Sequence, residues 1–465
     1  MSLREHAEAI WRAGVAAVDS SAAVRRHISC DETTLRIADV SLPLSQLGRI
    51  EILGAGKAGA GMAAGAESAL LEHLQPSQIS GWVNVPADCV RPLQQIHLHA
   101  ARPAGINEPT SEGVVGTNEI LQRISHLQQN DVCLVLLSGG ASALLCSPVP
   151  QISLTDKLAV TRALASSGAP IQELNLVRTQ LSQVKGGRLA SACTAGTLIA
   201  LIISDVIGDP LEVIGSGPTT PAPSRADQAI EILNRRQLLQ TIPCSVLSFL
   251  ESRREATTEP ATTTAVRNFI VASNRIAMEA AAAQARELGY EVESLGSENA
   301  GVAAVEGREL MQRLLAARAA RNNEQNKEGH AKVPLCILSG GEPTVDLRNT
   351  SSLVSPTRTT PRASAKGGRN QELVLAAIDQ NPNPADWNGI VLLSGGTDGE
   401  DGPTDAAGAV ADAELIARMA VQKTDHSASL ATHDSYHFFE ALGGLLKTGP
   451  THTNVMDLRV GLVTL

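Results

Sequence analysis

The sequence predicts an α/β protein of two domains, and three observations lead to this fold class. At 465 residues, the chain is too long for one small hydrophobic core. Hydrophobic residues make up 43% of it but aromatic residues only 2%, so aliphatic side chains must form the core, which suits helices packed on a mainly parallel sheet. Three apolar, strand-like runs end in the same Ser-Gly-Gly turn, at residues 138–140, 339–341 and 394–396. Because open α/β sheets bind ligands beyond the carboxyl ends of their strands, we expect the active site there, in the cleft between the domains.

A polar segment at residues 251–265, which has no hydrophobic period, predicts the domain boundary. The N-terminal domain is then expected at residues 1–255 and the C-terminal domain at 266–465, although roughly the first 45 residues could pack on the C-terminal domain instead. Beyond the boundary, strand, helix and strand patterns over residues 268–295 predict a βαβ unit. Low-complexity stretches at 318–332 and 349–365 predict surface loops, the second of them a lid.

Charge and composition exclude several classes of partner. The formal net charge of −10 argues against a nucleic acid or an anionic membrane surface, since both attract a basic face. We find no apolar run of about 18 residues that could span a membrane, and the N-terminus lacks the apolar core of a signal peptide. The seven cysteines form no C-x-x-C pair, which indicates reduced thiols and a cytoplasmic protein.

A glycine-rich loop follows the first strong strand pattern, at residues 50–53. Its glycines fit the G-x-G-x-x-G spacing of dinucleotide-binding loops: Gly54, Gly56 and Gly59. However, the next strand ends at Asn84 without the carboxylate that would hold a ribose, and Ala58 stands where a P-loop needs Ser or Thr. Lys57 in this loop is therefore predicted to bind an anion, the alternative being a solvated lysine at a helix start.

A basic stripe follows the first Ser-Gly-Gly turn. The pattern predicts a helix from residue 171 to about 185, with one polar face that carries Asn175, Arg178, Ser182 and Lys185. Such a face can line a pocket for an anionic substrate. Ser142 lies at the start of a short predicted helix whose N–H groups could hold a carboxylate, and the absence of G-x-S-x-G argues against a nucleophilic serine.

Acidic residues follow two of the predicted strands. Asp205 comes at the carboxyl end of the apolar run 197–204, where a carboxylate is commonly a general base or a metal ligand, the alternative being a helix N-cap. Asp398, Asp401 and Asp405 follow the third Ser-Gly-Gly turn within eight residues. Carboxylates so closely spaced predict a Mg²⁺ site that uses one or two of them together with phosphate oxygens.

Motifs in order along nearly the whole chain resemble those of one known family. The matching segments are residues 54–58, 138–144, 175–187, 204–209, 216–219, 340–344, 367–372, 394–399 and 453–457. The chain resembles the MOFRL-containing glycerate kinases, which are glycerate 2-kinases. It departs from their pattern at Arg102, where many bacterial members begin a His-Pro segment, and at His452, where a glycine is usual.

The resemblance implies a Rossmann-like first domain, ATP and Mg²⁺ as cofactors, and D-glycerate as the substrate. ATP-dependent phosphorylation to 2-phosphoglycerate is the favoured reaction, whereas the G-x-G-x-x-G loop keeps an NAD-dependent hydroxypyruvate reductase as the alternative. A nucleotide-binding protein without catalytic activity is a third reading. Assembly into a homodimer is left open.

The patterns and the resemblance together predict roles for individual residues, and the resemblance itself implies the catalytic ones. The catalytic residues are Lys57, Asp205, Arg369 and Asp398, with Mg²⁺ held by Asp398 and Asp401 and with the roles of Asp205 and Asp398 exchangeable. The substrate-binding residues are Ser138, Gly139, Gly140, Ser142, Asn175, Arg178 and Lys185. The nucleotide-binding residues are Gly54, Gly56, Asn274, Gly340, Gly341, Glu342, Thr344, Gly368 and Asn370.

Overall fold

A computed structural model of the protein describes residues 1–223, 225–254, 264–328, 333–347 and 365–464. The chain forms two compact units. The split unit consists of Met1–Asp19 and Ala272–Leu465, and the continuous unit consists of Ser20–Val271. The split unit thus takes its first helix from the N-terminal region that was predicted within residues 1–255.

Helix α1 (Leu3–Ala17) packs its apolar face on the split unit. A capping box begins the helix, since the Ser2 hydroxyl accepts from the Glu5 N–H and the Glu5 carboxylate accepts from the Ser2 N–H. Trp11 is buried, and its indole N–H donates to the carbonyl oxygen of Gly395 at 3.2 Å. The N-terminus therefore contacts the strand that precedes Asp398.

Two sheets form the framework of the continuous unit. The small antiparallel sheet consists of β1 (Ile28–Cys30), β2 (Thr34–Ile37) and β3 (Val40–Pro43). The large sheet consists of β4 (Ile50–Ala55), β5 (Ile79–Pro86), β6 (Ile96–Arg102), β7 (Val132–Leu137), β8 (Thr197–Ile203) and β9 (Ala265–Ala272), in the order β6-β5-β4-β7-β8-β9. All pairings from β6 to β8 are parallel, which confirms the predicted, mainly parallel sheet.

The strand order of this sheet reverses between β4 and β7. From β4 the chain proceeds outward through β5 and β6, and from β7 it proceeds outward in the other direction through β8 and β9. The carboxyl ends of β4 and β7 lie side by side, with Ala55 paired to Leu137. Such a switch point leaves a crevice between two neighbouring loops, where α/β proteins bind ligands.

Helices cover both faces of the large sheet or pack beside it. They are α2 (Ser20–Arg25), α3 (Gly59–Leu71), α4 (Ser111–Ile124), α5 (Ala141–Leu144), α6 (Leu154–Ser166), α7 (Ile171–Gln180), α8 (Arg188–Ser191), α9 (Ala226–Arg235) and α10 (Cys244–Ser252). The predicted helix over 171–185 is too long, because α7 ends at Gln180 and the chain then turns through the left-handed Gly186 and Gly187. Ser182 and Lys185 therefore lie beyond the end of the helix and do not share a helical face with Asn175 and Arg178.

The split unit contains a mixed six-stranded sheet. Its strands are β10 (Glu291–Ser294), β11 (Leu335–Gly341), β12 (Ile390–Gly396), β13 (Gly408–Asp412), β14 (Leu445–Leu446) and β15 (Asp457–Val463), in the order β10-β11-β15-β12-β13-β14. β15 is antiparallel to both β11 and β12, so those two strands run in the same direction. Their Ser-Gly-Gly ends therefore reach the same edge of the sheet, beside Asp457.

The remaining helices belong to the split unit: α11 (Asn274–Glu287), α12 (Ala303–Glu328), α13 (Arg369–Gln380), α14 (Ala413–Gln422), α15 (His426–Ala431) and α16 (Ser435–Leu442). Two predictions are wrong here. Residues 318–328 continue α12 instead of forming a loop. Residues 268–272 do form a strand, as predicted, but this strand is part of β9, which lies in a different sheet from β10, so the predicted βαβ unit does not form within one sheet. The predicted lid at 349–364 lies outside the described residues. Within the described ranges, no helix is both long and apolar enough to cross a membrane.

Candidate active site

The loops after β4 and β7 are joined by hydrogen bonds at the switch point of the continuous unit. The Lys57 N–H donates to the carbonyl oxygen of Gly139 at 2.8 Å, and the Ala58 N–H donates to the Ser138 hydroxyl at 3.1 Å. Gly56 has a φ of 152°, and a side chain at this position would collide with the Ser138 hydroxyl. Glycine is thus required for these two predicted ligand-binding loops to approach each other.

Three charged side chains surround the glycine pair after β7. The Asp205 carboxylate occupies the space that a side chain on Gly139 would take. Gly140 has a φ of 79°, and its missing Cβ would lie 3.2 Å from the Arg102 guanidinium and 3.4 Å from the Lys57 Cγ atom. The structure therefore brings together Lys57, Asp205 and the Ser-Gly-Gly turn, as the motifs predict.

Arg102 is a further functional candidate, which the sequence marked only as a departure from the family pattern. Its side chain is buried and donates to the Asn107 side-chain oxygen at 2.6 Å, while its Nε atom finds no hydrogen-bond partner among the described residues. Burial lowers the pKa of Arg102, although Asp88 acts in the opposite direction. A buried guanidinium with an unused donor beside Lys57 adds a second cation to this loop.

Lys185 is a fully buried cation whose partners are all uncharged oxygens. Its ammonium group donates to the Ser142 hydroxyl at 2.6 Å, to the Ser142 carbonyl at 3.0 Å and to the Ser216 hydroxyl at 3.0 Å. Burial is the main cause that holds the pKa of Lys185 well below its usual range, with further lowering from Arg178 and Lys157. The cost of burying this charge is therefore only partly offset within the protein.

Arg178 joins the same pocket from α7. Its Nη2 atom donates to the Ser142 hydroxyl at 2.8 Å and its Nη1 atom to the Asn175 side-chain oxygen at 3.3 Å. Burial also lowers the pKa of Arg178. Within the described ranges, neither Arg178 nor Lys185 forms an ion pair with a carboxylate. One partly buried and one fully buried cation converge on one hydroxyl without a carboxylate partner among the described residues, and this makes a pocket suited to a small carboxylate ligand.

The short helix that follows Gly140 is a weaker anion-binding site than the sequence predicted. α5 has only four residues, so its N–H groups are not a strong anion site by themselves. Ser142 instead acts through its hydroxyl, which contacts Arg178, Lys185 and Ser216. Ser216 has a left-handed backbone with a φ of 66° and lies in a Gly-Ser-Gly loop. No role was predicted for this loop.

In the split unit, Arg369 lies at the start of α13 between two carboxylates. Its Nε and Nη2 atoms donate to the two oxygens of Asp457 at 2.7 and 3.0 Å, and its Nη1 atom donates to Glu342 at 2.8 Å. Burial lowers the pKa of Arg369, but Asp457 and Glu342 raise it more, so the net shift is upward. Arg369 is thus held as a permanent cation. Asp457 lies in the last of the family motifs and had no predicted role.

Asp398 lies directly beyond the end of β12. Its carboxylate oxygen accepts from the Glu400 N–H at 3.1 Å. A side chain on Gly396 would meet that same oxygen at 3.1 Å and an Asp457 oxygen at 3.5 Å. The glycine therefore leaves room for two carboxylates close to each other at the edge of the sheet.

Asp401 was predicted to hold Mg²⁺ together with Asp398, but its carboxylate lies at the start of α13. It is buried, and its two oxygens accept from the N–H groups of Asn370 and Gln371 at 3.0 and 2.8 Å at the start of α13. Burial raises the pKa of Asp401 to about 7, although these N–H groups act against the shift. Its carboxylate is therefore engaged in capping a helix.

The predicted nucleotide-binding residues divide into two groups. The amides of Asn274 and Asn370 are buried and bonded inside the protein, Asn274 to the carbonyls of Val455 and Asp457, and Asn370 to Ser394 and Asp401. Gly340 and Gly341 end β11, and Glu342 and Thr344 lie in the segment that follows it. A cavity of about 690 Å³ opens near this segment, and its walls include Thr344, Gly368, Arg369, Glu372 and Asp398.

Oxygen ligands for Mg²⁺ are present at this edge, although the described residues contain no cluster of three His, Cys, Asp or Glu side chains that could hold a metal alone. Mg²⁺ commonly uses one or two carboxylates together with nucleotide phosphates, so Asp398 fits such a site. The roles of the individual site residues stay predictions.

Comparisons with known proteins match the chain over almost its full length. A model described as a domain of unknown function (DUF4147) matches residues 6–251, and the MOFRL family matches residues 335–457. The glycerate kinase of Mus musculus is 36% identical over 510 residues, which cover 99% of this chain and 93% of the mouse protein. The chain belongs to the glycerate kinase family.

Two solved structures have the same fold as this chain. A crystal structure of the Thermotoga maritima glycerate kinase has a TM-score of 0.79 and 30% identity, and 99% of each chain is covered. A Pyrococcus horikoshii protein has a TM-score of 0.80 and 31% identity over 100% of this chain and 99% of its own. The resemblance drawn from the motifs and the predicted α/β class are both confirmed.

Proposed function

We propose that this protein phosphorylates D-glycerate with ATP and releases 2-phosphoglycerate. The observation that carries the proposal is the pocket around Ser142, where the partly buried Arg178 and the fully buried Lys185 have no carboxylate partner among the described residues. A glycerate carboxylate would supply the missing counter-charge, which explains why two cations can be retained there. Membership of the glycerate kinase family supports the same substrate.

The remaining groups fit a phosphoryl transfer in which positioning and charge neutralisation dominate. Asp205, beside Gly139, would orient or deprotonate the attacking hydroxyl. Lys57 and Arg369 would neutralise negative charge on the transferred phosphoryl group, whose transition state is loose. Asp398 would hold Mg²⁺, which supplies further charge neutralisation when it is bound with ATP. Asp401 is a weaker candidate ligand, because both of its oxygens cap α13.

The structure offers little support for the alternative, a hydroxypyruvate reductase. At the end of β5, where a dinucleotide-binding fold usually presents an acidic residue to a ribose, the chain has Asn84. Asn84 is fully buried, and its amide donates to the carbonyl of Leu144 at 2.9 Å. It is therefore engaged within the protein.

The deciding experiment incubates the protein with D-glycerate and either ATP with Mg²⁺ or NAD⁺. ADP formation that depends on glycerate supports the kinase, whereas NADH absorbance supports the reductase. If neither product appears while the protein is folded, both enzymatic proposals are wrong. ³¹P NMR of the product then distinguishes 2-phosphoglycerate from 3-phosphoglycerate.

A further inference from the structure

We propose that Asp457 is the positioning residue that orients Arg369 for phosphate, and that Glu342 has no comparable role. This inference rests on the proposed phosphoryl transfer. Both carboxylate oxygens of Asp457 accept hydrogen bonds from Arg369, so Asp457 would act through the arginine. Its effect on catalysis would then come from fixing the guanidinium before the phosphate arrives.

Asp457 is held rigidly at the edge of the split unit's sheet. It is the first residue of β15 and pairs with Gly341 on one side and Gly396 on the other, which are the last residues of two Ser-Gly-Gly turns. Its backbone carbonyl also accepts from the buried Asn274 amide at 2.8 Å. A residue on a central strand holds its partner side chain in a more precise position than a residue on a loop does.

The contact between Arg369 and Asp457 determines the direction of the guanidinium plane. Two parallel N–H···O bonds of 2.7 and 3.0 Å join the Nε and Nη2 atoms to the two carboxylate oxygens. An arginine has five N–H donors, of which Asp457 takes two and Glu342 takes one. The two remaining donors, one on each terminal nitrogen, are available to a phosphate in a fixed direction.

A second arginine lies behind Asp457 and balances its charge. Arg459 follows two residues later on the same face of β15, is 1% exposed, and donates to the Ser339 hydroxyl at 2.9 Å. Its interaction with Asp457 favours the charged form of Arg459 against the lowering of its pKa by burial. The Asp457 carboxylate thus forms two hydrogen bonds with Arg369 and also interacts electrostatically with Arg459.

Glu342 makes a weaker contact with the same arginine. Its side chain is 45% exposed, whereas that of Asp457 is 0% exposed, and it forms a single hydrogen bond instead of two. Solvent competes with such a contact and leaves the carboxylate free to move. Glu342 therefore provides a matched control: a carboxylate on the same guanidinium without the burial and without the bidentate geometry.

The first test compares Asp457→Asn with Glu342→Gln in steady-state kinetics. Asp457→Asn removes the charge and one acceptor but preserves the shape, and we expect kcat to fall by about ten- to a hundredfold, as for other residues that orient a functional group. The KM for glycerate should stay near its wild-type value. Glu342 was also predicted to bind nucleotide, so Glu342→Gln should raise the KM for ATP but should lower kcat much less than Asp457→Asn does. Equal losses in both variants, or wild-type kcat in a folded Asp457→Asn protein, would overturn the proposal.

Chemical rescue provides a readout that a merely structural role would not change. In Arg369→Ala, added guanidinium ion should restore part of the activity, because Asp457 still offers both oxygens to it. In the double variant with Asp457→Asn, the same concentration should restore much less. Equal rescue of the two proteins contradicts a positioning role for Asp457.

Arg369→Lys keeps the proposal testable even if Asp457→Asn fails to fold. Lysine retains the charge but cannot form the two parallel bonds, so its kcat should lie close to that of Arg369→Ala. A kcat near the wild-type value would refute the inference. A wild-type protein without glycerate-dependent ADP formation would contradict the proposed function, whereas an active wild type with an unaffected Asp457→Asn contradicts only this inference.

Discussion

Replacing Lys185 with methionine should separate substrate binding from stability. The ammonium group of Lys185 is buried among neutral oxygens and close to two other cations, Arg178 and Lys157, so its removal eliminates an uncompensated charge. The Ser142 hydroxyl keeps Arg178 and Ser216 as partners after the substitution. We therefore expect the free energy of unfolding without ligand to stay the same or to rise.

The loss should appear in glycerate binding instead. One hydrogen bond between a charged group and a carboxylate contributes about 1.5–3 kcal/mol. That range corresponds to roughly a ten- to hundredfold increase in the dissociation constant of glycerate. Because the pKa of Lys185 is lowered in the folded state, the unfolded protein binds more protons as the pH approaches the ordinary range of lysine. Wild-type stability should consequently increase with pH over that interval, and Lys185→Met should lose this increase.

Calorimetric titration with glycerate and urea unfolding measure these two effects separately. Lys157→Met is the matched control, since Lys157 is also a buried lysine but donates to the Cys146 thiol at 3.4 Å and not to Ser142. The control should bind glycerate nearly as tightly as the wild type. The reasoning is refuted if Lys185→Met binds glycerate normally, or if it unfolds more easily while Lys157→Met does not.

Three further substitutions test other parts of the site. Lys57→Ala should lower turnover by about two to three powers of ten, the order found when one preorganised charge-stabilising group is removed; wild-type kinetics in the folded variant would exclude Lys57 from the mechanism. Asp398→Asn should raise the Mg²⁺ concentration needed for half-maximal activity and lower kcat, with the glycerate KM nearly unchanged; loss of glycerate binding at an unchanged Mg²⁺ requirement would assign Asp398 to the substrate site instead. Burial raises the pKa of Asp401 to about 7. Between about pH 4 and 7 the folded state therefore keeps a proton on Asp401 that the unfolded state has released. The free energy of unfolding should consequently fall as the pH rises through this window. Asp401→Asn should flatten that pH dependence in urea unfolding, and an unchanged slope would show that another group causes it.

Local sequence patterns were sufficient for the framework of the site. A strand that ends in Ser-Gly-Gly can be recognised from about ten neighbouring residues, and such turns do lie at the carboxyl ends of β7, β11 and β12. The loop with Lys57 was found in the same way. The position of the active site in a cleft between the two domains stays a prediction.

Long-range contacts explain what the sequence did not reveal. Asp457 pairs with Arg369 across 88 positions, and Asp401 caps a helix that begins about 30 residues before it. Lys185 fitted a helical period with Arg178, but α7 ends earlier and the chain carries Lys185 into contact with Ser142, 43 positions away. Periodicity describes one element at a time, so it cannot report which distant group will become the partner of a charged side chain.

The position of β15 in the sheet has a consequence for the order of folding. β15 lies between β11 and β12, so these two strands become parts of one sheet only when residues 457–463 have paired with both of them. Helix α1 packs against the same sheet, and its contact between Trp11 and Gly395 spans 384 positions. Contacts between residues so far apart in the chain form slowly, because a long loop must close first. All strands of the continuous unit lie within residues 28–272, so we expect this unit to fold before the split unit.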